Sequence, residues 1–233
     1  TYAFINFGRQ FQSTPSPGLF DSVQHTARFG TSHRLTGQDT VLVQYTYNRG
    51  TFSGSSVGDF DAHGGAVDWI RRYSPSLRST LSGGASRITQ DFSGGAQSEW
   101  VYTALASLSW NNGPDALTLS YSGGVFPSFV SSAGPIFSHL VTAVGTHRFE
   151  ENVLGGVRIN YSNNMSIQSV DGQPSLSLES KSANVFMNYR VTQSMVLGLA
   201  YNWGLFSGNF TDPNQPQIFA RNEVILSLSQ YWR

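Results

Sequence analysis

The sequence predicts an all-β fold, a transmembrane antiparallel up-and-down β-barrel of twelve strands. Three observations predict it. Apolar and polar residues alternate with period two along much of the chain, a hairpin-sized unit recurs at nearly constant spacing, and charge is scarce. Only 12% of the 233 residues are charged, about half the usual globular share of roughly 25%. The hydrophobic fraction is 39%, so Gly, Ser, Thr, Asn and Gln supply the polar surface. Cysteine is absent, which excludes disulfides and thiolate metal sites. No apolar run approaches the roughly 18 residues of a spanning helix, but a closed β-barrel spans by pairing its backbone between strands. The chain begins at Thr1 rather than Met and is read as a processed or incomplete product.

The alternation is clearest at 40–48, where Val41, Val43, Tyr45 and Tyr47 share one face and Thr40, Gln44, Thr46 and Asn48 the other. An apolar residue followed two positions later by an aromatic recurs at Ile5 and Phe7, Val43 and Tyr45, Leu119 and Tyr121, Ile159 and Tyr161, and Leu199 and Tyr201. Leu81 and Gly83 occupy the remaining slot. The second members lie 38, 38, 38, 40 and 40 residues apart, which gives six copies of one unit.

Between these strands six others are predicted at about 22–35, 62–73, 98–110, 136–149, 180–190 and 219–232. Short turns follow Leu35, Tyr73, Trp110, Phe149 and Val191, while Gly-, Ser- and Pro-rich loops are predicted at about 9–21, 49–61, 90–97, 127–135, 163–174 and 206–217. Short turns on one side and long loops on the other are the pattern of a barrel with short periplasmic turns and longer extracellular loops. The whole chain, 1–233, is read as a single transmembrane β-barrel domain. A propeller is the competing reading of such a repeat. Its blades need four strands, whereas this unit has room for two long ones.

Aromatic placement fits two membrane-interface girdles. Tyr47, Trp100, Tyr102, Tyr121, Tyr161, Tyr201 and Trp203 fall towards the long-loop ends, and Tyr73, Trp110, Phe149, Tyr189 and Trp232 towards the short turns. On this pattern the chain resembles the bacterial outer-membrane β-barrel, porin-like superfamily, of twelve-stranded type, over essentially its full length. Its last strand, 224–232, is similar to the C-terminal segment by which barrel-assembly machinery recognises clients, departing at Gln230 and in the Arg233 that follows the aromatic. The resemblance implies an outer-membrane location, with membrane lipid and that machinery as partners.

Parity assigns the other face to the barrel interior. Arg28, Arg34, Arg72, Arg78, Arg148, Arg158, Arg190, Arg221 and Arg233 share it, with Asp68, Glu99 and Glu223 the acids that clearly do. Nine basic against three acidic residues leave this face near +6 although the whole chain is formally neutral. Arg34, Arg72, Arg148 and Arg190 each lie beside a short turn, at spacings of 38, 76 and 42 residues. Two readings stay open. The arginines line an anion-attracting pore, or they pair with acids and brace, even partly plug, the wall.

Catalytic signals are thin, and no enzyme activity is expected. His25, His33, His63, His139 and His147 are scattered without zinc-ligand spacing. Ser138 and His139 are adjacent on a strand and so face opposite ways, and the His-x-Ser spacing of the twelve-stranded outer-membrane phospholipases is absent. His139 and His147 are read as polar interface residues. The glycine doublets at 83–84, 123–124 and 155–156 lack the strand–loop–helix context of a phosphate loop and are read as sites of curvature or close packing. Apart from Arg71 and Arg72 no basic run points to nucleic acid. No cofactor or metal is predicted. The leading expectation is a porin-like channel for small hydrophilic solutes with a bias towards anions, and relatives implied by the resemblance include channels for acidic oligosaccharides. The alternatives are a structural barrel anchoring other envelope proteins or copies of itself, and the translocator barrel of a longer polypeptide.

Overall fold

A computed structural model describes residues 1–12, 21–53, 59–92, 95–127, 135–166, 177–208 and 217–230. Within them lie β1 (Tyr2–Gln12), β2 (Asp21–Arg34), β3 (Asp39–Ser53), β4 (Phe60–Arg72), β5 (Leu77–Phe92), β6 (Gly95–Asn112), β7 (Asp115–Pro127), β8 (Pro135–Glu150), β9 (Val153–Ser166), β10 (Ser177–Thr192), β11 (Met195–Gly208) and β12 (Gln217–Gln230). They form a single sheet ordered β1 to β12, so every strand lies beside its neighbours in sequence. Every neighbouring pair is antiparallel, as short hairpin connections demand.

The short turns leave four residues between β2 and β3, four between β4 and β5, and two at each later short connection. The pair Asn112 and Asp115 closes one hairpin around Gly113 and Pro114. Gly113 has φ of 62°, which the first central residue of such a turn adopts without penalty only as glycine.

At the opposite end the strands run further than alternation alone indicates. The loop expected at 90–97 is largely a ladder, with Gln90 opposite Gln97, Asp91 opposite Ala96 and Phe92 opposite Gly95. Likewise β1 continues to Gln12, β3 to Ser53, β9 to Ser166 and β11 to Gly208. Towards these ends apolar residues no longer keep to one face, so the period-two signal fades while backbone pairing continues. The remaining stretches of those loops, at 13–20, 54–58, 93–94, 128–134, 167–176 and 209–216, together with Trp232 and Arg233, lie outside the described residues.

The two faces differ sharply. One carries Ile5, Val43, Val67, Leu81, Leu119, Val157, Val185, Leu199, Val224 and Leu226, joined across the sheet by the pairing register and each exposed by 42% or more. The other carries hydrogen-bonded polar side chains: Thr26 Oγ1 donates to Asn48 (2.7 Å), Gln44 to Asp68 (3.0 Å), Thr142 to Asn160 (3.0 Å), and Asn160 to Ser182 (3.1 Å). The three buried hydrophobics among the described residues, Phe60, Ala62 and Ile88, lie on this polar face at the long-loop end, with Val101 packed against them. This arrangement inverts that of a water-soluble sheet, which hides its apolar face.

Glycines show which way the sheet curls. A Cβ on Gly84, on the polar face, would lie 2.4 Å from the Gly65 carbonyl oxygen, and one on Gly156 would lie 2.7 Å from that of Gly145. A Cβ on Gly83, on the apolar face of the same doublet, would meet nothing within 4 Å. Crowding on one side and space on the other mark the polar side as concave at this doublet.

Candidate functional site

The register gathers the eleven described candidates onto that polar face. Arg28 is opposite Asn6 and Thr46, Asp68 opposite Leu42 and Ser82, and Glu99 opposite Ile88. Arg158 is opposite Val144 and Asn184, and the line continues through Asn202 to Glu223. Arg221 pairs in register with Gly204.

Arg34, Arg72, Arg78, Arg148 and Arg190 occupy the short-turn ends of this face. Arg72 and Arg78 are directly opposite each other, two like charges across one hairpin. The backbone explains the repeat of this position. The amides of Arg72, Arg148 and Arg190 donate to the carbonyls of Gln38, Pro114 and Asn152, at 2.8–2.9 Å, tying each strand end to the preceding short turn. In the hairpin between, the Asn111 amide donates to Ser76 at 2.8 Å, so the gap of 76 residues in the arginine series is filled by an asparagine. Arg34 differs. Its guanidinium folds onto its own turn, donating to the carbonyls of Thr36 (3.0 Å) and Gly37 (2.8 Å).

The bracing reading requires acids for these cations. Among the described residues only Arg221 of the eight meets one, Glu223 at 3.0 Å two positions along the same strand. Asp68 instead accepts from Gln44, and its second oxygen is buried without a partner. Arg28 contributes to a cavity of about 250 Å³ lined also by Gln24, Gln44, Asn48, Ser82 and Ser86. Arg148 and Arg190 flank one of about 200 Å³ with Asn188 and Glu151. Seven arginines without acidic partners on one face can attract and orient an anion, because the guanidinium offers planar paired donors to carboxylate or phosphate.

The aromatic candidates sit on the apolar face, apart from Tyr73 in the turn after β4 and Trp232 outside the described residues. Tyr47 donates to Asp61 (2.6 Å), Tyr201 to Asn222 (2.8 Å), and Tyr121 hydrogen-bonds His139 (2.9 Å). Trp100 and Tyr102 are exposed by 64% and 79%. Sequence reasoning missed a cluster at the short-turn rim, where Trp69 Nε1 donates to Asp39 (3.0 Å) and Arg71 lies 3.8 Å from the same carboxylate and over the Trp69 and Tyr73 rings. Their shared odd parity with Val41 and Val67 was its only signal. His147 lies 2.6 Å from Asp115 on this face, while Ser138 and His139 point to opposite faces.

No family model matches the chain, and no curated protein matches it. Solved structures similar to it include two porins, a channel and the β domain of the Bordetella autotransporter BrkA, the last 13% identical with a TM-score of 0.31 over 98% of both chains. A structure named KdgM porin is 8% identical with a TM-score of 0.33, each chain covered over 100%. The NanC porin is 9% identical with a TM-score of 0.37, covered over 99% of both chains. The CymD monoaromatic hydrocarbon channel is 11% identical with a TM-score of 0.40, over 99% of this chain and 78% of that one.

Proposed function

We propose that the sheet closes edge to edge into a twelve-stranded barrel in the outer membrane and serves as a passive channel for small hydrophilic solutes, with a preference for anions. The single observation that carries the channel is the inverted sheet, an exposed apolar outer face against a concave polar one, which fits lipid outside and water inside. Anion preference rests on the arginines without acidic partners and on their eight-to-three excess over acids on that face.

Closure has support in the register. Following paired residues from Tyr2 across the sheet, through Ser32, Leu42, Asp68, Ser82, Leu105, Ser122, Leu140, Ser162, Ser180 and Phe206, leads to Phe219. Tyr2 begins β1 at the short-turn side, and Phe219 lies eleven residues before Gln230, where β12 ends on that side. A stagger of this kind is what tilted strands require in order to meet.

A second reading, the structural anchor, draws on Phe60, Ala62 and Ile88, which narrow the polar face with apolar side chains. Planar-bilayer recording under a salt gradient separates the two. The channel reading expects ohmic conductance with an anion-selective reversal potential, lowered or reversed by Arg72→Glu with Arg148→Glu. Folded, inserted barrels that never conduct would leave the anchor, and unchanged selectivity in a conducting double variant would make these arginines structural.

A further inference from the structure

Not all of the arginines belong to the polar face. Arg9, Arg49 and Arg87 lie on the apolar face, at the long-loop ends of β1, β3 and β5, and all three are exposed. Arg9 and Arg49 share a register row through His25, which is opposite both. Arg87 is opposite His63 and Trp100. Alternate strands place neighbouring members of the series laterally about 10 Å apart, twice the strand spacing.

None of the three meets an acid in an ion pair among the described residues, and Arg87 has only a 3.4 Å bond to Ser98. Asp61, opposite Arg49 in register, accepts from Tyr47 at 2.6 Å. Elsewhere on this face basic side chains have acidic partners among the described residues. Arg71 has Asp39, His147 has Asp115, and Lys181 has Glu179 at 3.0 Å. Among the described residues, the arginines without an acidic ion-pair partner on this face are therefore confined to one side and one end of it.

Directly beneath it, towards the middle of the strands, is an outward groove of about 550 Å³ lined by Ala27, Phe29, Tyr45, Tyr47, Asp61, His63 and Thr89, with the Asp61 carboxylate held by the Tyr47 hydroxyl. Phe29 and Tyr45 stack in it with ring centroids 5.0 Å apart. Arg49 stands two residues beyond Tyr47 on the same strand, and Arg87 is level in register with Trp100, so the charge lies at the headgroup side of the aromatic belt.

We propose that this patch and groove dock a phosphate-bearing membrane lipid in the leaflet at the long-loop end. The arginines grip the phosphate, and the aromatic groove holds the start of its acyl chains. A planar guanidinium suits phosphate through paired hydrogen bonds, and an apolar groove under a basic rim suits an amphiphile rather than a free anion. The proposal rests on the membrane orientation above, not on conduction.

Native mass spectrometry of the full chain in neutral detergent tests it, using a bisphosphorylated glucosamine lipid and its dephosphorylated counterpart. Wild type should retain the phosphorylated lipid selectively, and Arg9→Gln, Arg49→Gln and Arg87→Gln together should weaken retention about a hundredfold, since each basic residue at an anionic lipid surface contributes a factor of roughly five. Arg49→Lys with Arg87→Lys, which keeps the charge but loses the paired donors, should retain more lipid than the triple variant and less than wild type. Equal retention of both lipids, an unaffected triple variant, or displacement by millimolar inorganic phosphate would overturn the proposal. Conductance recorded on the same samples keeps the two readings apart. Selective lipid retention without conduction supports the patch and sinks the channel, whereas conduction without lipid selectivity does the reverse.

Discussion

The chemistry of single residues here depends on which face they occupy. Arg71 and Arg72 are adjacent in sequence, yet one lies over Trp69 and Tyr73 beside Asp39 while the other faces Arg78 across a hairpin. The first lies on the apolar face beside a carboxylate that offsets its charge, and the second meets no acid among the described residues and adds its charge to the polar face. Asp39 holds the rim cluster together, since it also accepts from Thr36 at 2.8 Å. Trp69→Phe keeps the ring and removes one donor to that carboxylate, so the urea unfolding midpoint in lipid vesicles should fall by the equivalent of about 1 kcal/mol. An unchanged midpoint would mean that the bond contributes nothing net at this rim.

Strands and their connections show where the sheet is constrained. The glycine doublet of β5 is a sharp test, because its two members face opposite sides of one strand. Gly84→Ala should destabilise the fold by about 1–3 kcal/mol, as overpacking does, because the new Cβ meets the Gly65 carbonyl oxygen and the Ala66 methyl at 2.4 and 2.8 Å. Gly83→Ala should be neutral or slightly stabilising, since its Cβ enters open space and the unfolded chain loses freedom. Equal unfolding midpoints for the two variants would contradict a concave polar face at this position.

For the whole molecule the decisive question is the meeting of β1 and β12. Among the described residues each pairs on one side, with β2 and β11 respectively, and most of their side chains are exposed on both faces. An open edge in a membrane would leave a row of unsatisfied amides, which costs several kcal/mol per group in hydrocarbon. Hydrogen exchange of the vesicle-embedded protein should therefore show β1 and β12 amides protected as strongly as those of β6 and β7. Fast exchange confined to β1 and β12 would show that the sheet stays open.

Much of this architecture is written locally. Alternation at 40–48 marks β3 because a strand turns successive side chains to opposite faces, and the same rule assigns Arg28, Arg158 and Glu223 to the polar face. What alternation cannot carry is anything set by a partner strand. The ladder of Gln90 with Gln97 carries no such signal because residues 90–97 show no apolar alternation. The inward cluster of Phe60 and Ile88 breaks the face rule, and only the packing of β4 on β5 brings those residues together. The ion-pair state of the arginines was equally closed to sequence, since Arg148 and Arg190 lie 42 residues apart and meet at one cavity only through the register. The sequence by itself determined the strands, their faces and the repeat that orders them, because these follow from two-residue periodicity and turn chemistry. The tertiary structure alone decided the stagger, the direction of curl and which charges stand unpaired, because each depends on distances between strands far apart in the chain.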